Sequence, residues 1–231
     1  AFIEKYHPQD LELRLEVLKA LNKMQVLYPE LKLPTKRIYR HLLLEVKASS
    51  RSIANLEIQQ LLLDQSNQTD LRAAREGLIQ LLHKRQQGNI ERLFRLLGMR
   101  YPPADIIPAY RGLCSQDQEE KINALEFMDI MLEKNLKQLL IPVMEYGVRT
   151  NATSGTRKQP NIQTLLGQER ASIKRILGGR DLRLKLAVIY LMGHLEAEAY
   201  APVLERCLNA RDKRVRDMAT KALQELAVRQ G

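Results

Sequence analysis

The residues of this 231-residue chain with the most chemistry to offer are four histidines, two cysteines and one small basic stretch. His7, His41, His83 and His194 are scattered, and none has a His or Cys three or four residues away. A zinc site needs several convergent nitrogen and sulfur ligands, so each imidazole reads as a packing or surface group and no metal is expected. Cys114 and Cys207 lie far apart in helical context; a disulfide framework is not indicated and a reducing compartment fits better. No Ser, Cys or Thr sits in a nucleophile-elbow context. Ser154-Gly155-Thr156-Arg157-Lys158 is flexible and basic, but it lacks the GxxxxGK[ST] spacing of a phosphate loop. Arg149, Arg157 and Lys158 could gather an anion there; a plain insertion between helices explains the same residues with fewer assumptions. No catalytic or cofactor-binding residue is assigned, and the expected class is non-enzymatic.

Charge carries more information. The chain holds 37 Lys+Arg against 27 Asp+Glu, a formal net charge of +10. A balance this basic suits nucleic acid, an anionic membrane surface or an acidic protein. Seven bases crowd two short stretches: Arg180, Arg183 and Lys185, then Arg211, Lys213, Arg214 and Arg216. Gly178-Gly179 precedes the first stretch as a tight turn. Lys84, Arg85, Arg92, Arg95 and Arg100 form a second concentration. For both, a solvated edge is the plain alternative.

The elements that must position these residues are helices. Aromatics are 5% of the chain and Trp is absent, so Leu, Ala, Ile and Met have to fill the core. Four segments overlay when aligned on Asp10, Asp117, Asp181 and Asp212. Four residues later each has a base: Arg14, Lys121, Lys185 and Arg216. Val17, Ala124, Val188 and Ala219 follow at seven, and Leu21, Met128, Met192 and Leu223 at eleven. Met24, Met131, Leu195 and Leu226 complete the pattern at fourteen. Those offsets fall on one helix face, and the leading Asp sits where an N-cap belongs. Two helices, Thr35 to Ala48 and Arg51 to Leu63, are predicted around Ser49-Ser50, and Gly88-Asn89 is a predicted break in a helix from Asp70 to Leu97. Tyr101-Pro102-Pro103 separates an N-terminal region, 1–103, from an array over 104–231 with a loop insertion at 149–160. The most apolar run, Leu139 to Val143, is too short to span a bilayer and contains Pro142. The opening Ala1-Phe2-Ile3 reads as the continuation of a longer chain, so an excised domain is expected.

A helix, a short turn with Asp, and a second helix with a base on its first turn resemble HEAT repeats. The expected fold is therefore all-α, a right-handed α-α solenoid in which stacked pairs share one core. A closer resemblance rests on Gly88-Asn89-Ile90-Glu91-Arg92-Leu93-Phe94-Arg95-Leu96-Leu97-Gly98, then Tyr101-Pro102-Pro103 and Ala109-Tyr110-Arg111-Gly112-Leu113. Asn123-Ala124-Leu125-Glu126-Phe127 and the stretch from Val17 to Lys23 extend it over about residues 10 to 130. These residues resemble the soluble HEAT region that follows the membrane part in bacterial relatives of the ATP/ADP antiporter family. The resemblance implies a scaffold at the cytoplasmic face of a nucleotide-transporter-like membrane protein. Its expected partners are the parent transmembrane domain and either a protein or an anionic membrane surface. No transport residue carries over, because the chain lacks the membrane part. The alternative is a HEAT-like nucleic-acid-binding protein, such as a DNA glycosylase-type repair enzyme, although no aromatic platform for a displaced base is evident.

Overall fold

A computed structural model describes residues 11–28, 30–31, 33–148 and 161–230, the side chain of Gln230 excepted. Among them are ten α-helices and no strand. They are α1 (Leu11–Leu27), α2 (Thr35–Asp64), α3 (Thr69–Leu97), α4 (Pro103–Leu113), α5 (Gln118–Met131), α6 (Lys134–Val148), α7 (Ile162–Gly178), α8 (Leu182–Met192), α9 (Ala197–Cys207) and α10 (Lys213–Gln230). The all-α expectation holds.

Three of the four overlaid Asp residues cap helices. The Asp117 carboxylate accepts from Glu119 N at 2.8 Å, Asp181 from Leu184 N at 3.1 Å, and Asp212 from Arg214 N at 2.9 Å. Each satisfies one of the N–H groups that a helix start leaves without an intrahelical acceptor. Asp10 lies outside the described residues. The apolar offsets behave accordingly: Ala124, Val188 and Ala219 are buried, while Val17 is half-buried and Met24 is exposed. In α1 the fully buried residue is Leu18, one position off the overlay, so the first segment shares the spacing without sharing the packing.

Two predicted interruptions are absent. α2 runs through Ser49-Ser50 because both hydroxyls are satisfied within helical geometry. Ser50 Oγ donates to Val46 O one turn back, and Ser49 Oγ accepts from Gln86 Nε2 at 2.6 Å. α3 likewise continues through Gly88-Asn89, with the Asn89 side chain held by Gln86 and Arg92.

The chain divides into two compact units, 1–53 with 85–158 and 54–84 with 159–231, so α2 and α3 contribute to both. In the first unit, Leu18, Leu42, Phe94, Ile106, Met128, Leu136, Leu140 and Met144 belong to one buried apolar cluster. Helices α4 and α5 cross so closely that a Cβ on Gly112 would fall 2.8 Å from the Ala124 Cβ and 3.1 Å from Glu120 O. Glycine is required there by proximity. In the second unit α8 packs on both α7 and α10. The end of α8 meets the middle of α10, where a Cβ on Gly193 would lie 3.1 Å from Ala222 Cα. Lys185, in the first turn of α8, is close enough to Cys207 to act on its thiol, and Cys207 lies just ahead of the turn into α10. The two capped helices α8 and α10 therefore run side by side in the same direction.

Candidate functional site

That parallel arrangement decides where the bases go. The starts of α8 and α10 fall at one end of the second unit, and each start carries its Asp cap and its bases. Arg180 and Arg183 are exposed around the first turn of α8, and Arg211, Lys213 and Arg214 are exposed around the first turn of α10. Lys185 is half-buried beside Cys207, whose thiol is pushed up by burial against the opposing pull of that ammonium.

The seven residues do not act alike. Arg216 is a local brace: its Nη1 donates to Ala210 O at 2.8 Å and to Arg211 O at 2.9 Å, tying down the turn before α10. Arg214 folds back on the cap, with Nε and Nη2 at 3.1 and 2.9 Å from the two Asp212 oxygens. This pairing, then the Arg214 backbone N–H, holds the Asp212 carboxyl below its ordinary value of 3.8. Arg180, Arg183, Arg211 and Lys213 are exposed at the same helix starts, with Lys185 half-buried behind them. Four exposed guanidinium or ammonium groups outnumber the two capping carboxylates at adjoining helix starts, and the positive helix-dipole ends add to the side-chain charge, so the surface is net positive. A net positive surface of this kind attracts phosphate-bearing or carboxylate-bearing groups.

Three of the five bases in the second concentration are engaged within the fold, while Lys84 is exposed and Arg85 half-buried. Arg92 is buried against Glu45, Arg95 pairs with Glu91 at 3.3 Å, and Arg100 makes a two-pronged contact with Glu133 at 2.6 and 2.7 Å. Arg149, Arg157 and Lys158 lie outside the described residues, as does His7. His41 contacts Arg14, His83 faces Gln60 at the outer limit of a hydrogen bond, and His194 packs edge-on against Tyr190 with rings 4.8 Å apart. Among the described residues, no group of three or more His, Cys, Asp or Glu side chains could hold a metal ion. No helix among them is long and apolar enough to cross a membrane.

Sequence reasoning missed the polar interiors. In the first unit Glu45 is buried between two arginines: Arg92 Nε donates to its Oε2 at 3.1 Å, and Arg14 Nη1 lies 3.0 Å from Oε1. Burial lowers the Arg14 pKa from its ordinary value; Glu45 opposes the shift and Arg92 reinforces it. Arg92 also reaches Asn89, Asn89 reaches Gln86, and Gln86 reaches Ser49. In the second unit Arg75 Nη1 donates to Glu169 Oε1 at 2.5 Å and to Gln59 Oε1 at 2.7 Å, and its Nε donates to Ser66 Oγ at 3.2 Å. Gln59 Nε2 closes the ring on Glu169 at 3.0 Å. Nearby Tyr200 has its hydroxyl pushed up to about 12, by burial first and then by the Glu169 carboxylate. The signal was present in α2 as Glu45, Ser49, Ser52, Asn55 and Gln59. Their steps of four and three residues mark a polar helix face that is buried rather than solvated.

No protein-family model, curated protein or solved structure matches the chain.

Proposed function

We propose that the chain is a non-enzymatic helical-repeat interaction module whose outward bases in the second unit engage an anionic membrane surface. The observation that carries this reading is the convergence of Arg180, Arg183, Arg211 and Lys213 at the parallel starts of α8 and α10. Each base close to an anionic leaflet contributes about 1 kcal/mol, so four supply about 4 kcal/mol without any specific contact. The Asp117, Asp181 and Asp212 caps and the close pairs α4/α5 and α9/α10 support a HEAT-like array, in which repeated helix pairs set such bases along one edge. The resemblance of residues 10 to 130 to the HEAT region of antiporter-like membrane proteins supports a place at the cytoplasmic face of a parent transporter.

Hydrogen exchange of the chain with vesicles rich in phosphatidylglycerol tests the proposal. Protection should be confined to the first turns of α8 and α10, and phosphatidylcholine vesicles should give none. Protection elsewhere, or stronger protection at the same turns by duplex DNA at matched charge and salt, would replace the membrane with another partner.

A further inference from the structure

The outer face of α5, in the first unit, has the opposite character to the basic edge. Helix α5 buries Ala124 and Met128. On its opposite side Glu119, Ile122, Glu126 and Ile130 follow at steps of three and four residues, which places them on one stripe. Ile130 is 85% exposed, the highest value among the large apolar residues described, and Ile122 and Phe127 are each 41% exposed. Isolated exposed apolar residues are ordinary; here Ile122 and Ile130 lie two turns apart on the stripe, Phe127 borders it, and carboxylates are interleaved, so together they form a coherent face. Among the described residues no salt bridge engages Glu119 or Glu126, and no base lies on the stripe itself.

We propose that this face of α5 docks a basic amphipathic helix of a partner protein. The apolar side of such a helix would cover Ile122, Phe127 and Ile130, while its Lys or Arg residues would meet Glu119 and Glu126. Helix-on-helix contact of this kind uses a stripe at steps of three and four residues, the spacing of Glu119, Ile122, Glu126 and Ile130. Charge chooses between occupants. Glutamates flanking the apolar residues repel an anionic leaflet, so this face does not suit the surface proposed for the basic edge. A protein helix with cationic flanks satisfies both the apolar residues and the carboxylates. The whole chain carries +10, so a cationic ligand is disfavoured everywhere except at a local acidic face. That makes saturable binding of a cationic helix diagnostic.

The test uses the full chain and a fluorescein-labelled three-heptad peptide with Leu at the first and fourth positions of each heptad and Lys at the flanking ones. Fluorescence anisotropy should show saturable binding that weakens tenfold or more in Ile130→Ser. Glu126→Lys should weaken it to a similar degree while leaving the apolar residues in place. Both positions are exposed, and circular dichroism should show unchanged helix content. A matched Leu/Glu peptide should be indifferent to Ile130→Ser. Absence of saturable binding by the parent chain, or binding by both variants as tight as the parent's, overturns the proposal. A dimer of the chain that dissolves in Ile130→Ser identifies a second copy as the occupant instead. Loss of vesicle binding in the same variant assigns the face to lipid.

Discussion

Removing the Glu169 carboxylate should be among the most damaging single changes to the second unit. Arg75 is 3% exposed and Glu169 0%, and the pair is bridged at 2.5 Å with Gln59 bonded to both. Glu169→Ala leaves a buried guanidinium with only neutral acceptors, Gln59 Oε1 and Ser66 Oγ, and strips Gln59 Nε2 of its acceptor. Breaking one side of a buried ion pair costs about 3–5 kcal/mol, a large share of the ~5–15 kcal/mol net stability of a typical domain. The pair itself has a different worth. Replacing all three groups by apolar side chains of similar size, as in Gln59→Leu/Arg75→Met/Glu169→Leu, removes the desolvation cost together with the attraction. Ser66 Oγ keeps its bond to Leu62 O at 2.7 Å in that variant. The triple variant should therefore be within about 1–2 kcal/mol of the parent on either side, recovering most of the single-variant loss. Urea titration read by hydrogen exchange in α7 separates the second unit from the first. A loss below about 1 kcal/mol in Glu169→Ala, or a triple variant as unstable as the single one, would show that water or relaxation solvates the site and would refute the reasoning.

Three further outcomes follow from the same structure. Gly112→Ala should destabilise the first unit by about 1–3 kcal/mol through overpacking at the α4/α5 crossing, and Ala124→Gly in the same chain should return part of it, measured by thermal melts. Asp181→Ala should cost about 1 kcal/mol, whereas Asp181→Asn should cost far less because an amide oxygen also caps. The Asp212 carboxyl should titrate below 3.8 in the folded chain, as followed by NMR. Because its folded pKa lies below the unfolded one, the stability it adds is present above the unfolded value and is lost as pH falls through the folded value. Arg214→Ala should move the Asp212 titration back toward 3.8.

Legibility from sequence followed the physics of each signal. The caps at Asp117, Asp181 and Asp212 were readable because an N-cap is a local event, set by one side chain and the N–H groups two or three residues on. The all-α class was readable for the same reason, since apolar spacing reports the helix period. Ser49-Ser50 and Gly88-Asn89 looked like interruptions because intrinsic preference treats them so. Gln86, distant from Ser49 in sequence, supplies the partner of that hydroxyl, whereas Asn89 is held by Gln86 and Arg92, each three residues away on its own helix. Among the candidate bases, sequence could not separate Arg216 from Arg211. One braces carbonyls of the preceding turn and the other faces outward, a difference made by the fold of five residues. Arg92 shows the same limit more sharply, because its partner Glu45 sits on another helix and turns an apparent surface base into an interior one.

The central claim is that Arg180, Arg183, Arg211 and Lys213 form a membrane-binding edge, and flotation with phosphatidylglycerol-containing vesicles tests it most directly. At about 1 kcal/mol per base, replacing all four by Ser should weaken binding about a thousandfold at low salt. The parent chain should lose affinity steeply between low and physiological salt. Equal flotation of the parent and the four-base variant, or no flotation of the parent at any salt, would contradict the account.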